Sequence, residues 1–136
     1  MSDHPRLVQT VLDTPRPREL AEFYRALLGY EYRAGDEPPA HGQPDDADWL
    51  VLRDPAGGPQ LAFQLAAVEP TTWPDARVPM QLHLDMTVPD ADALVQQRDR
   101  AVALGAAVRL DRSNDAEEPL YVMTDPAGHP FCLFVG

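Results

Sequence analysis

The stretch Leu50-Val51-Leu52-Arg53-Asp54-Pro55-Ala56-Gly57-Gly58-Pro59-Gln60-Leu61-Ala62-Phe63 returns in outline as Tyr121-Val122-Met123-Thr124-Asp125-Pro126-Ala127-Gly128-His129-Pro130-Phe131-Cys132-Leu133. At its centre the tetrapeptide Asp-Pro-Ala-Gly starts at Asp54 and again 71 residues later at Asp125. Asp at the first corner, Pro at the second with its φ already fixed, and Gly at the fourth are the preferences of a tight turn, and each copy joins two apolar runs. Each is a hairpin candidate. Turns of this composition punctuate many unrelated β proteins, so the weight rests on whether the surroundings repeat as well.

They do repeat. Thr14 and Pro15 supply an N-cap and a helix start, and Leu20, Phe23, Tyr24, Leu27 and Leu28 then fall on one helical face before Gly29 stops the helix. In the second half Asp90 caps a helix with a thinner apolar face through Leu94, Ala101 and Val102, which Gly105 terminates. A strand precedes each helix, over 7–13 and 81–87. Three follow each: 30–33, 49–53 and 60–65 in the first half, then 106–111, 120–124 and 131–135 in the second. The order βαβββ is written twice, as module one (6–66) and module two (80–136). A stiff connector over 67–79 joins them, carrying Pro70, Trp73-Pro74 and Pro79. The fold class is therefore α+β: one domain over 1–136, with tandem βαβββ modules forming a curved mixed sheet around a small-molecule cleft. Each half-sheet hides one face under its helix and leaves the other to a shared concavity.

Strand alternation names the residues that look into that cleft. In the fifth strand Leu82, Leu84 and Met86 face the helix, and His83, Asp85 and Thr87 point the other way. Sliding back 74 residues, from His83 to Gln9, puts Gln9, Val11 and Asp13 on the equivalent side of the first strand.

Composition narrows the functional classes. With 11 basic against 22 acidic residues the formal net charge is −11, and no Lys/Arg cluster offers the phosphate attraction that nucleic acid requires. The single cysteine, Cys132, excludes an internal disulfide and a thiolate zinc cluster, which suits a reducing compartment. The first five residues lack a basic region followed by an apolar run, and no stretch of about 18 apolar residues occurs. The expectation is a cytoplasmic protein with no nucleic-acid or membrane partner.

Taken in order, these segments resemble the vicinal oxygen chelate superfamily, the glyoxalase, bleomycin-resistance and extradiol-dioxygenase group, and most closely its glyoxalase-like branch. The segments that carry the resemblance are Val11-Leu12-Asp13 leading into Leu20-Ala21-Glu22-Phe23-Tyr24 and Leu28-Gly29, then Leu61-Ala62-Phe63-Gln64. Trp73-Pro74, His83-Leu84-Asp85, Leu104-Gly105-Ala106 and the run from Asp125 to Leu133 complete the series. The resemblance implies a metal cup with one ligand from the first strand and one from the last strand of each module. Typical ligands are His or Gln in the opening strands and Glu in the closing ones. A divalent ion held there activates a carbonyl or enolate oxygen as a Lewis acid.

Carried over residue by residue, His83 matches the opening ligand of module two, and Gln9 stands at its counterpart in module one. The closing glutamates are replaced by Cys132 in module two and by Gln64 or Ala62 in module one. Asp85 and Asp13 share the faces of His83 and Gln9. Asp85 can supply an acidic ligand, orient the imidazole of His83, or simply hydrogen-bond at the rim. Cys132, between Phe131 and Leu133, is expected to pack as a small buried hydrophobe. His129 is expected to be solvated in its turn.

Two functions follow. In the first, the cleft lacks the full metal-ligand set and binds an apolar or aromatic small molecule through Gln9, Asp13, Gln64, His83, Asp85 and Cys132. In the second, a divalent-metal-dependent lyase, isomerase or dioxygenase uses His83 as metal ligand or general base. The resemblance adds a homodimer to the expected partners.

Overall fold

The computed structural model describes residues 4–136. The chain divides into two compact units with the boundary at Ala67–Val68. The first unit contains β1 (Gln9–Thr14), α1 (Pro17–Leu28), β2 (Glu31–Tyr32), β3 (Trp49–Arg53) and β4 (Gln60–Leu65). The second contains β5 (Leu84–Val88), α2 (Ala91–Leu104), β6 (Ala107–Arg112), β7 (Leu120–Thr124) and β8 (Pro130–Val135). Each unit folds into a four-stranded mixed sheet of the same topology, β1-β4-β3-β2 and β5-β8-β7-β6. The first and last strands of each unit run parallel, and the remaining pairs are antiparallel. A parallel pair needs a crossover, and the helix with its following strands provides one. The expected α+β class with two βαβββ modules is the observed one.

Helix α1 forms for reasons its sequence states. Pro17 occupies the first turn, Glu19 and Arg25 complement the helix dipole at opposite ends, and Gly29 closes the helix at φ 70° with its N–H on the carbonyl of Arg25. The face formed by Leu20, Ala21, Phe23, Tyr24 and Leu27 is buried. The Tyr24 ring stacks on Phe63 of β4 with centroids 5.9 Å apart, while Phe23 meets Tyr24 edge-on at 4.9 Å.

The start of α1 differs from the expectation. Thr14 is the last residue of β1, and its hydroxyl accepts the Arg16 N–H at 3.0 Å in a turn that precedes the helix. Pro17 rather than Pro15 therefore fills the first-turn position.

In α2 the expected cap is present: the Asp90 carboxylate accepts the Ala93 N–H at 2.8 Å. Leu94 and Ala101, seven residues apart on one stripe, are buried, whereas Val102 is 45% exposed. One residue further along, a side chain is rotated about 100° off that stripe, which is why Val102 does not join it.

The start of β5 is also later than the sequence suggests. Gln81 adopts φ 49°, in the left-handed region, and the extended strand begins only at Leu84. Leu82 is thereby 57% exposed instead of facing the helix, and His83 immediately precedes the strand. Beyond this point Leu84 and Met86 are half-buried and Val88 is buried, while Asp85 and Thr87 are exposed. In β1 Leu12 and Thr14 are buried, Val11 and Asp13 exposed, and Gln9 half-buried.

Both Asp-Pro-Ala-Gly segments are turns of one geometry. The Gly57 N–H reaches the Asp54 carbonyl at 2.9 Å and the Gly128 N–H reaches that of Asp125 at 2.8 Å. In each, the Asp carboxylate also accepts the N–H two residues on, at 2.8 Å for Ala56 and 2.9 Å for Ala127. The loops differ in length by one residue, 54–59 against 125–129. A one-residue difference exchanges the faces of the strand that follows. Leu61 and Phe63 are thus buried in β4, and Phe131 and Leu133 in β8. Cys132, 71 residues after Leu61, consequently lies on the opposite face of its strand.

The segment preceding β5 is free of helix and strand from Ala66 to His83. It docks on the second turn: the Thr71 N–H bonds the Gly128 carbonyl at 3.2 Å, and a β-carbon on Gly128 would overlap Pro70. Gly128 sits at φ 91°, so both its backbone and its surroundings require glycine.

Candidate functional site

The site is built on the paired strands β5 and β8. Asp85 and Cys132 are partners in the parallel register. Because Phe131 and Leu133 are buried, alternation turns Cys132 to the other face beside Asp85, where it is half-buried. Cys132, expected to pack as a small buried hydrophobe, is therefore only half-buried, and its two neighbours alone pack inward. His83, two residues before Asp85, lies on the same side, with Nε2 3.2 Å from Asp85 Oδ1. One donor atom each from His83, Asp85 and Cys132 lies within 4.8 Å of the others. The imidazole and carboxylate side chains remain 39% and 56% exposed, so the set is open to solvent.

Burial pushes the Cys132 thiol above its usual range, and the negative charges of Asp85 and Glu118 push it further the same way. Without a cation to reverse this field, the sulfur stays a neutral thiol and a poor nucleophile.

The first unit places its own candidates differently. Asp13 and Gln64 are register partners across β1 and β4 and both are exposed; Gln9 pairs with Gln60. The two units share an offset of 74 residues from Thr14 to Val88 and from Pro17 to Ala91. On that offset Val11 and its partner Ala62 occupy the places of Asp85 and Cys132. Ala62 is fully buried and offers no donor. His129, expected to be solvated, is half-buried, and its backbone closes the second turn: its N–H bonds the Asp125 carboxylate at 3.0 Å and its carbonyl accepts the Asp125 N–H at 2.9 Å.

A depression of about 440 Å³ lies at the start of α1, lined by Pro15, Arg16, Arg18, Asp45, Asp46 and Leu65. Arg18, which the sequence did not single out, is among the lining residues. Arg18 donates to the Asp45 carboxylate at 2.7 Å and to the Asp36 carbonyl at 2.7 Å, and its guanidinium lies 5.0 Å from the centre of the Tyr32 ring. These contacts fasten the long loop between β2 and β3 onto α1, a structural task.

A glyoxalase-like domain model matches residues 9–134. The chain belongs to the glyoxalase-like domain family, within the vicinal oxygen chelate superfamily. Solved structures share the fold. A glyoxalase/bleomycin resistance protein/dioxygenase family enzyme from Burkholderia phytofirmans is 15% identical, with 93% of this chain and 95% of that one covered and a TM-score of 0.66. A mutant of the fosfomycin resistance protein from Listeria monocytogenes, solved with manganese(II) and a dihydroxypropylphosphonic acid, is 15% identical, covers 100% and 94%, and gives 0.67. Lactoylglutathione lyase from Agrobacterium tumefaciens is 18% identical, covers 99% and 96%, and gives 0.59. No curated protein sequence matches the chain.

The family implies a divalent metal, and the donor chemistry decides which kind fits. Hard ions such as magnesium and manganese favour carboxylate, carbonyl and water oxygens. Here the closing position of module two is a thiol, its counterpart in module one is an alanine, and Asp85, the carboxylate beside that thiol, is engaged with His83. The residues do not fit a hard-ion cup.

Proposed function

We propose that this chain is a small-molecule-binding glyoxalase-like protein that recognises an apolar or aromatic ligand through the face of β5 and β8 bearing His83, Asp85 and Cys132. The observation that supports this reading is the grouping of those three polar side chains within 4.8 Å, without the carboxylates a hard-ion centre needs. Small-molecule sites commonly combine apolar walls with a few placed polar groups that set orientation. In module one Gln9, Asp13 and Gln64 are the corresponding candidates. A cytoplasmic location and a homodimer belong to the same reading. The single cysteine supports the first and the family resemblance supports the second; among the described residues no helix is long and apolar enough to cross a membrane.

The test is a thermal-shift screen of small aromatic and apolar compounds on chelator-treated protein, repeated with manganese and magnesium. Stabilisation by an organic compound that His83→Ala reduces supports the reading. Stoichiometric manganese held through His83, with turnover that depends on it, contradicts it.

A second reading rests on the 3.2 Å contact between His83 Nε2 and Asp85 Oδ1. A carboxylate on one ring nitrogen fixes the tautomer and orientation of the imidazole, leaving the other nitrogen to take a proton from a carbon beside a carbonyl. In that case the chain is a lyase or isomerase with His83 as general base, and His83→Ala abolishes turnover while leaving ligand binding in place.

A further inference from the structure

We propose that the ligand of the β5–β8 face is an organic cation, an arylalkylamine whose ammonium is held at Asp85 and whose ring lies along Phe134 and the Thr87 methyl. The inference rests on the small-molecule reading given above and deepens it by naming the charge and the reach of the ligand.

The parallel register lays the surface out in two steps. Asp85 stands opposite Cys132, and two residues further on Thr87 stands opposite Phe134. A strand returns to the same face at every second residue, so both pairs share one face, the second roughly 6.5 Å beyond the first. The first step is polar, with His83 beside Asp85. The second is apolar. Phe134 is half-buried, and a β-carbon on Gly136 would lie 3.6 Å from Cε2 of its ring and 2.9 Å from the Thr87 methyl carbon, so ring and methyl meet at the end of β8. A ring joined to a polar head by a short chain matches this sequence of steps.

Charge decides the sign of the head. The Asp85 side chain is 56% exposed and gives one oxygen, Oδ1, to the contact with His83, while a carboxylate accepts at both oxygens. Glu118, exposed in the loop before β7, adds a second negative charge: after burial, the charges of Asp85 and Glu118 are what raise the Cys132 thiol. An arginine on this face, Arg112, stands across from Leu120 on the far edge strand and is ion-paired with Asp115 at 3.2 Å. An ammonium at Asp85 is therefore attracted by two carboxylates, and an anionic head in the same place is repelled by both.

The test is an NMR titration of the isotopically labelled, chelator-treated full chain at about pH 8, where alkylamines carry their charge. Two matched series serve as probes: phenethylamine, phenethyl alcohol and phenylacetate, then tryptamine, tryptophol and indole acetate. Each amine should perturb residues 83–87 and 131–134 saturably. It should bind about 5-fold tighter than its alcohol and at least about 10-fold tighter than its carboxylate, the scale of partly exposed charge pairs. Added sodium chloride should narrow that margin. Asp85→Asn should bring amine and alcohol within about 2-fold, and Glu118→Gln should reduce the margin without removing it. Asp46→Asn removes the same charge from an exposed position in the first unit and should leave the margin intact, which separates local recognition from the net charge of −11. Glu118→Gln keeps the test valid if Asp85→Asn fails to fold. Amines and alcohols that bind this face equally, or a margin that survives Asp85→Asn, overturn the proposal while the small-molecule reading stands. If no member of either series perturbs these strands, the proposal also fails. The small-molecule reading falls with it only if the broader thermal-shift screen yields no compound that binds there.

Discussion

Asp85 stands directly across the parallel β5–β8 pair from Cys132, whereas the equivalent pair in the first unit is Val11 and Ala62. At this register the duplicated frame thus carries polar side chains in the second module and apolar ones in the first. Topology, strand phase and turn geometry repeat, but the side chains at the matching register do not.

The two repeated turns should respond unequally to the same substitution. Gly57 and Gly128 both have positive φ, but a β-carbon at Gly57 meets open space, whereas at Gly128 it overlaps Pro70. Left-handed backbone strain alone costs about 1–3 kcal/mol. Gly57→Ala should stay within that range, and Gly128→Ala should exceed it because the connector must move. Urea denaturation of both variants checks this, and equal losses would contradict the docking of Pro70 on the turn.

Acid should destabilise the chain partly through Glu22. Its carboxyl accepts Arg25 at 2.7 Å and the Tyr32 hydroxyl at 2.7 Å, and Arg25 is the largest cause of its lowered pKa. A carboxyl lowered in the folded state adds stability above its ordinary range, and that stability is lost as pH falls through the range toward the folded value. Glu22→Gln should therefore flatten the melting temperature's dependence on pH below about pH 5. A slope identical to that of the parent would refute the contribution.

At the alkaline end Tyr32 is pushed up to about 12, first by burial and then by its hydrogen bond to Glu22. A raised phenol stabilises the fold fully below its ordinary pKa of 10.0 and loses that stability as pH rises toward 12. Tyr32→Phe should remove this alkaline loss in thermal melts, and an ultraviolet titration of the parent should show a late-ionising tyrosine whose contribution the same variant removes.

Arg18 should control the order of the loop between β2 and β3. Its side chain is 20% exposed and binds Asp45 together with the Asp36 carbonyl. Arg18→Ala should cost about 1.5–3 kcal/mol, as for hydrogen bonds to a charged group. It should also raise hydrogen exchange and proteolysis across 34–48, leaving β5 and β8 protected. Arg18→Lys should restore little, because a single ammonium cannot span both partners.

The fold was legible because its signals are local and doubled. Tight turns, helix stops at Gly29 and Gly105, and period-two strands each appear twice. Strands β3, β4 and β7 run over the residues expected of them. The misses trace to backbone events that periodicity does not report: the left-handed Gln81, which delays β5 and exposes Leu82, and the Thr14 turn, which moves the helix start to Pro17. For the site, alternation put His83 and Asp85 on one face, but their proximity to Cys132 depends on the β5–β8 register, a pairing between residues 47 positions apart. The sequence offered two readings of Cys132, the closing position of module two or a small hydrophobe packed with Phe131 and Leu133, and a lone thiol did not choose between them. Arg18 left no signal, because its partners Asp36 and Asp45 lie in a loop whose path no pattern encodes.

Binding of a small molecule to the face of His83, Asp85 and Cys132 is the property from which the proposed function follows. Backbone amide shifts followed by NMR on isotopically labelled, chelator-treated chain, during titration with an aromatic compound selected by thermal shift, measure this. The predicted result is saturable perturbation concentrated at residues 83–87 and 131–134 and weakened by His83→Ala. Saturable binding whose perturbations avoid those two strands, or which His83→Ala and Asp85→Asn leave unchanged, would contradict it.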